Sequence, residues 1–224
     1  MIRLVLFDID GTLIRTGGAG VRAFAKTFAT EFNLPEATRD LNLSGRTDPS
    51  LVRECFKKHQ IELTPENFEH FFGIYPHWLA YYLHELDGGA CPGVFEMIRA
   101  LKGLPKPPVM GLLTGNIRLG AEIKLRHYDL WDPFVMGAFA DEHEDRNQLA
   151  ALAHSRSHHY WGAKLPPEDI LVIGDTPLDI ACGKSIGAKT LAVATGSYSV
   201  PDLAAYTPTF TARDLTEFNL RSLL

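Results

Sequence analysis

The order of apolar and polar positions divides the chain into a part that contains strands and a part that is helical. Residues 4–7 form an apolar run that ends at Asp8, and such a run is typical of a buried β-strand. From residue 21 to about residue 86, apolar residues recur every three or four positions, which predicts helices throughout. The clearest helices are predicted at residues 51–59 and 65–86, and their aromatic residues favour a separate packed core.

From about residue 90 the pattern changes to short apolar runs that alternate with amphipathic stretches. Strands are predicted at residues 109–113, 134–139 and 170–173, and weaker ones at 190–194 and 207–210. Strands that alternate with helices predict an α/β fold with a doubly wound parallel sheet. The run at residues 117–127 is predicted to be a helix with Asn116 as its N-cap.

The helical stretch lies between the first strand and the remaining strands, so it is predicted to be an inserted domain. The expected division is an α/β core formed by residues 1–15 and 88–224, with a helical domain at residues 16–87. Glycines stand at both junctions, in the runs 17–20 and 88–89. They favour a hinge, because glycine absorbs large dihedral changes, although the first cluster could instead cradle a phosphate.

Composition narrows the class of protein. The 224 residues are 46% hydrophobic and carry a formal net charge of −5, with no local cluster of Lys and Arg. A nucleic-acid or membrane-surface partner is therefore not expected. Every apolar run is short, so we expect neither a spanning helix nor a signal peptide, and a cytoplasmic location. The expected partner is a small molecule, and the expected state is a monomer or weak dimer.

Polar side chains follow three of the predicted strands. Asp8 and Asp10 follow the first, Thr114 and Asn116 follow the second, and Asp175 begins the loop after the strand at residues 170–173. The carboxyl ends of parallel strands meet at one edge of a sheet, so these groups are expected to converge. Two neighbouring acids repel each other unless a cation compensates them, and Mg²⁺ is the usual cation for oxygen ligands.

These groups, together with Arg146 at the start of a predicted helix, are the parts of a site for phosphoryl transfer. The segments involved are Asp8-x-Asp10-Gly11-Thr12, Thr114-Gly115-Asn116, Arg146 and Gly174-Asp175-x-x-x-Asp179. In order and placement they resemble the four motifs of the haloacid dehalogenase (HAD) superfamily. The helical insertion resembles the cap of its phosphoglycolate phosphatase-like and β-phosphoglucomutase-like members.

The resemblance implies a Mg²⁺-dependent phosphatase that hydrolyses a small phosphorylated metabolite through an aspartyl-phosphate. Asp8 would be the nucleophile, and Asp10 would protonate the leaving group and later activate water. Asp8, the Asp10 carbonyl and Asp175 would hold Mg²⁺, with Asp179 in support. An alternative for Asp179 is an acid in the first turn of a helix that interacts with the helix dipole.

The same resemblance assigns phosphate binding to Thr114, Gly115, Asn116 and Arg146. Many relatives carry lysine where this chain has Arg146, but the planar guanidinium suits phosphate and keeps its charge. The alternative is that Arg146 is a surface residue of its helix. Lys164 is a poorer candidate because it lies in a predicted loop.

Residues 45–49 resemble a loop of such caps that faces the active site. The resemblance suggests that Arg46 touches a substrate anion. Alternatively, Thr47 or Asp48 caps a helix and Arg46 is solvated.

Two other functions are compatible with this sequence, and two more are disfavoured by it. A phosphomutase of the β-phosphoglucomutase type would use the same residues, with the cap keeping water away from the intermediate. A non-catalytic regulator with a vestigial site is a further alternative. A dehalogenase is disfavoured because it would need neither Asp10 nor the metal ligands, and a dinucleotide-binding protein lacks Gly-x-Gly-x-x-Gly after the first strand.

Overall fold

The structure, a computed structural model, describes residues 1–163 and 165–220, so Lys164 lies outside the described residues. The strands are β1 (Leu4–Phe7), β2 (Ile14–Arg15), β3 (Gly89–Ala90), β4 (Val109–Leu113), β5 (Met136–Ala138), β6 (Ile170–Gly174), β7 (Lys189–Val193) and β8 (Phe210–Ala212). The α-helices are α1 (Ala19–Glu31), α2 (Asp48–Lys58), α3 (Pro65–Glu85), α4 (Val94–Lys102), α5 (Arg118–His127), α6 (Arg146–Trp161), α7 (Pro177–Ser185) and α8 (Val200–Ala204).

Six strands form one parallel sheet in the order β5-β4-β1-β6-β7-β8. The predicted α/β fold with a doubly wound parallel sheet is therefore confirmed. Strand β1 lies between β4 and β6, and its last residue, Phe7, pairs with Leu112 on one side and Ile173 on the other. This register brings the carboxyl ends of three strands side by side, which is where ligands bind in open α/β sheets.

Helices cover both faces of this sheet. Because successive side chains of a strand point to opposite faces, Val5 and Phe7 pack with apolar residues of α4 and α5. Leu4 and Leu6 pack with apolar residues of α6 and α7 on the other face. Strand β1 is consequently buried on both sides, and the loop that follows it is anchored by the centre of the core.

Helices α1, α2 and α3 share a separate apolar cluster that is rich in aromatic residues. At its centre the ring of Phe28 lies 4.7 Å from that of Phe71 and 5.9 Å from that of Phe56. The prediction that residues 21–86 are helical throughout is wrong between α1 and α2, where residues 32–47 form turns and irregular backbone. That stretch instead supplies a loop that reaches the edge of the sheet.

Two further details differ from the sequence-based expectation. Strands β2 and β3 were not predicted, and they pair antiparallel where the chain leaves and re-enters the α/β part. Helix α5 begins at Arg118 with Ile117 as its N-cap, so the prediction of Asn116 as the cap is wrong. Among the described residues, we find no helix with both the length and the apolar character needed to cross a membrane.

Candidate active site

The polar residues predicted to follow the strands do meet at one edge of the sheet. Asp8 comes directly after β1, and its backbone N–H donates a hydrogen bond to the Ile173 carbonyl at 2.9 Å. Thr114 directly follows β4 and Asp175 directly follows β6. Arg146 is the first residue of α6, the helix that comes after β5. All four side chains are buried.

Three carboxylates form the acidic centre of this edge. Asp8, Asp175 and Asp179 each offer an oxygen within 4.8 Å of the others, and all three residues are buried. Burial, followed by the charge of Asp179, raises the pKa of Asp8 to about 7 and the pKa of Asp175 to about 8. A divalent cation would remove this penalty, and hard oxygen ligands suit Mg²⁺. The donor set therefore fits the predicted metal.

Asp175 is enclosed by backbone on two sides. An added Cβ at Gly11 would lie 2.4 Å from its Oδ2, and one at Gly196 only 1.6 Å away. Gly11 also has a φ of +83°, which disfavours other residues. The Thr12 hydroxyl donates a hydrogen bond to Asp175 Oδ1 at 3.1 Å. The glycine and threonine after Asp10 thus position an acid that is 163 residues away in sequence.

Arg146 is the cation that faces this acidic centre. Its Nη2 lies 3.3 Å from Asp8 Oδ1 and in closer contact with Asp179 Oδ1, and its Nη1 donates to the Gly45 carbonyl at 3.1 Å. Burial opposes the charged form, but Asp179 and Asp8 outweigh it and raise the pKa of the guanidinium. Arg146 is therefore a buried cation rather than a surface residue. Its Nε is buried with no hydrogen-bond partner among the described residues.

Asp179 also has a structural role. Its Oδ2 accepts hydrogen bonds from the Thr176 backbone N–H at 3.0 Å and from the Thr176 hydroxyl at 2.6 Å. Together with the bond from the Asp179 N–H to the Thr176 hydroxyl, these contacts form a capping box at the start of α7. Asp179 is therefore an acid in the first turn of its helix and, at the same time, a member of the acidic centre.

Asp10 points towards a different group of partners. Both of its carboxylate oxygens accept hydrogen bonds from Lys124 Nζ, at 2.8 and 2.6 Å, and Oδ2 also accepts from Asn116 Nδ2 at 2.7 Å. Asn116 Oδ1 accepts from the same ammonium at 2.6 Å, and its Nδ2 donates to the Thr114 hydroxyl oxygen at 2.9 Å. The carboxylate of Asp10 is thus oriented by Lys124 and Asn116.

Lys124 was missed in the sequence. It is 4% exposed, although lysine is rarely buried unless it is paired. A signal was present, because Lys124 lies on the buried face of α5 together with Gly120, Ala121 and Leu125. A lysine at such a position indicates an acidic partner, but the helix alone does not reveal that the partner is Asp10.

The loop before α2 docks against the Thr114-Gly115-Asn116 turn through the backbone. The Asp48 N–H donates to the Gly115 carbonyl at 2.7 Å, and Asp48 Oδ2 accepts from the Ile117 N–H at 2.8 Å. An added Cβ at Gly115 would lie 2.2 Å from the Arg46 carbonyl oxygen. Asp48 thus satisfies a backbone donor at the start of α5, and Gly115 leaves room for this approach.

The Arg46 guanidinium is engaged within the helical segment. Its Nη1 forms an ion pair with Glu54 at 2.5 Å, and its Nη2 donates to the Ser50 carbonyl at 3.4 Å. A second arginine of α2, Arg53, reaches across to the α/β part and pairs with Glu144 at 2.6 Å. Arg46 lines the cavity described next, and its contact with a substrate anion stays a prediction.

A cavity of about 270 Å³ lies between the sheet edge and the helical segment. The α/β part contributes Asp8, Asp10, Thr114, Gly115, Asn116, Lys124, Arg146 and Asp175. The helical segment contributes Val21, Phe24, Leu43, Arg46, Asp48, Leu51 and Tyr75. The cavity therefore has a polar, charged wall opposite a largely apolar one.

The chain is similar in sequence to known proteins. The sequence model of the HAD-hydrolase-like family matches residues 146–218. The chain is 30% identical over 197 residues to the pyrophosphatase PpaX of Halalkalibacterium halodurans, covering 86% of this chain and 83% of the relative. It is 28% identical over 217 residues to the pyrophosphatase PpaX of Bacillus cereus, covering 93% and 91%.

Solved structures share the fold over almost the whole chain. The structure of CbbY from Rhodobacter sphaeroides in complex with phosphate has a TM-score of 0.74 at 18% identity, covering 97% of this chain and 96% of that one. A haloacid dehalogenase-like family hydrolase from Streptococcus pneumoniae has a TM-score of 0.70 at 21% identity, covering 96% of each chain. These structures confirm the fold, and the family model together with the 30% identical relative confirms the predicted family: the chain belongs to the haloacid dehalogenase-like hydrolases.

Proposed function

We propose that this chain is a Mg²⁺-dependent phosphatase that hydrolyses a small phosphorylated metabolite through an aspartyl-phosphate on Asp8. The family and the phosphatase-named relatives assign it to the phosphoric ester hydrolases. The observation that carries the proposal is the position of Asp8, which lies among buried carboxylates and next to the Arg146 guanidinium in a small cavity. A carboxylate placed in this way can approach a phosphoryl group whose charge is neutralised around it.

The metal would be held by the Asp8 and Asp175 carboxylates and by the Asp10 carbonyl. Bound Mg²⁺ favours the ionised form of Asp8 and neutralises charge on the phosphoryl oxygens. Asp179 supports this set, because its oxygens are engaged by Arg146 and Thr176. The raised pKa values of Asp8 and Asp175 support the assignment, since two buried acids need a compensating cation.

The reaction then proceeds in two displacements. An Asp8 carboxylate oxygen attacks phosphorus, the bond to the substrate oxygen breaks, and Asp10 gives its proton to the leaving alkoxide. In the second displacement Asp10 takes a proton from water, the water oxygen attacks phosphorus, and the bond to Asp8 breaks. Inorganic phosphate leaves, and both carboxylates return to their initial states.

Phosphate binding is assigned to the turn after β4 and to Arg146. The Thr114 hydroxyl oxygen accepts from the Asn116 backbone N–H and side-chain amide, which leaves its own proton to donate to a phosphoryl oxygen. The backbone of Gly115 lies beside it in the same cavity. The Nε of Arg146 is buried and has no hydrogen-bond partner among the described residues, so it is a further candidate donor to a phosphoryl oxygen.

Residues 16–87 are proposed to act as a cap domain on a core formed by residues 1–15 and 88–224. Support comes from the separate aromatic cluster of α1, α2 and α3 and from their contribution of one wall of the cavity. Docking of this segment against Gly115 would limit access of bulk water to the phosphoryl group.

The test is a screen of phosphate esters with the purified chain in Mg²⁺ and, separately, in EDTA. Phosphate release that requires Mg²⁺ is the expected result. An isomerised phosphate ester would instead identify a phosphomutase. Absence of both products across sugar, glyceryl and aryl phosphates would contradict catalysis and favour a regulator.

A further inference from the structure

Each positively charged side chain that lines the cavity already forms an ion pair or hydrogen bond within the protein. Among the described residues that line it, the positively charged ones are Arg15, Arg46, Lys124 and Arg146. Arg146 pairs with Asp8 and Asp179, Lys124 with Asp10, and Arg46 with Glu54. Arg146 is the cation that lies beside Asp8 and would contact the phosphoryl group, and the charges of Lys124 and Arg46 are balanced without a ligand.

Arg15 differs because its partner is uncharged. Its Nε donates to the Thr195 carbonyl at 2.8 Å, and its Nη2 donates to the same oxygen. The residue is exposed, so its charge acts through solvent and is screened by salt. Arg15 is thus held against the loop after β7, where it is a weak attractor for a second anionic group.

The wall that faces the phosphate site offers little to a charged group. Val21, Phe24, Leu51 and Tyr75 present apolar or aromatic surface there, and Asp48 adds a further carboxylate. A second anion on the substrate would lose water against apolar atoms and would approach like charge. The cavity volume of about 270 Å³ also lies near the lower end of the range for small-molecule sites, which is about 300–1,000 Å³.

We propose that the substrate is a small phosphate monoester whose alcohol part is uncharged, such as a polyol or short hydroxyalkyl phosphate. The site discriminates against an alcohol part that carries a carboxylate or a second phosphate. The Arg46–Glu54 pair, in which both side chains are partly exposed, is the specificity-determining contact, because Glu54 balances the charge of the one positively charged residue that the helical wall contributes to the cavity among the described residues. This inference rests on the proposed phosphatase function.

The experiment compares two substrates of nearly equal size, 2-hydroxyethyl phosphate and phosphoglycolate, which differ in whether the end group is a hydroxyl or a carboxylate. The measured quantity is kcat/KM for phosphate release in Mg²⁺. We expect the neutral ester to be preferred by at least about tenfold. Pyrophosphate, assayed in parallel, should also be a poor substrate.

Glu54→Gln is the informative variant, since it releases the Arg46 guanidinium while leaving the cavity walls in place. It should raise kcat/KM for phosphoglycolate several-fold, roughly 3- to 10-fold, and leave 2-hydroxyethyl phosphate unchanged. The matched control is Glu96→Gln, which removes another exposed acid paired with an arginine, Arg99, on α4. The control should leave the ratio of the two substrates unchanged.

Two results would overturn the inference: equal or better turnover of phosphoglycolate or pyrophosphate by the wild type, or an unchanged substrate ratio in Glu54→Gln. Failure of the proposed function has a separate signature. In that case 4-nitrophenyl phosphate, whose good leaving group makes few demands on the site, would also release no phosphate in Mg²⁺, and both proposals would fall together.

Discussion

The two walls of the cavity are built in different ways. On the sheet side Asp8 and Asp175 are buried, and the ends of adjacent strands hold them in place. On the helical side the surface is mostly apolar, and its arginine is paired with an acid of the same helix segment. Under the proposed function, chemistry and substrate choice lie in separate parts of the chain. Substitutions on one wall should therefore alter catalysis, and substitutions on the other should alter selection.

The largest effect is expected from Asp8→Asn on the sheet wall. The amide keeps the shape of the side chain but is a poor nucleophile, so turnover should fall by on the order of 10³-fold or more. The melting temperature should not fall, because the change removes a buried acid whose pKa is raised. Steady-state assays and thermal unfolding measure both effects, and near-normal turnover would rule out Asp8 as the nucleophile.

The second effect concerns Asp175→Ala, which removes a proposed Mg²⁺ ligand. The Mg²⁺ concentration for half-maximal activity should rise by roughly 10- to 100-fold. Asp175→Asn is the matched control for shape, since it fills the same space between Gly11 and Gly196 with a weaker ligand. An unchanged Mg²⁺ titration in the alanine variant would make Asp175 a purely structural residue.

Lys124→Met should have a smaller effect on the same wall. It removes the ammonium that contacts both Asp10 and Asn116 without touching the acidic centre, so kcat should fall by about tenfold. The loss should be greater for an alkyl phosphate, whose leaving group needs a proton, than for 4-nitrophenyl phosphate. Lys102→Met, at an exposed lysine of α4, is the control. Equal losses on both substrates would contradict a role in orienting Asp10.

The smallest effect is expected where the two walls meet, at Asp48. Burial raises the pKa of Asp48 from an ordinary value of 3.8 to about 7, against the opposing influence of Lys124. Between these pH values the unfolded chain loses a proton that the folded chain keeps, so this group lowers the free energy of unfolding as the pH rises. The penalty is absent below about pH 4 and complete above about pH 7.

Asp48→Asn keeps an oxygen for the Ile117 N–H but cannot ionise. Its free energy of unfolding should equal that of the wild type near pH 4 and exceed it at pH 8, where the penalty for the ionised wild-type carboxylate is complete. Denaturant unfolding at the two pH values provides the measurement. Asp40→Asn, an exposed acid of the same segment, is the control. A difference that does not change with pH would contradict the assignment.

The sequence predicts the sheet wall better than the helical wall, for a physical reason. A buried strand that runs into polar residues is visible locally, and parallel topology then brings Asp8, Thr114 and Asp175 to one edge. Arg146 was found through its place at a helix start and the family resemblance. The inferences on Asp8, Thr114 and Asp175 need only neighbouring residues and one topological rule.

The contacts that were missed depend on segments far apart in the chain. Lys124 and Asp10 are 114 residues apart, and Asp48 and Ile117 are 69 residues apart. No local pattern encodes either pairing. The cap of α5 was wrongly assigned to Asn116 because the donor at the helix start is satisfied by Asp48 from another segment. Strands of two residues, such as β2 and β3, are too short to show any alternation.

The approach of Gly115 to the Arg46 carbonyl has a consequence for how this enzyme can evolve. The two loops meet through main-chain atoms, and an added Cβ at position 115 would lie only 2.2 Å from that oxygen. The fit between the walls therefore depends on a glycine at 115 and makes no demand on the identity of the side chain at 46. During evolution, substitutions at position 46 can therefore change which substrates the cavity accepts without altering the main-chain contact between the two loops.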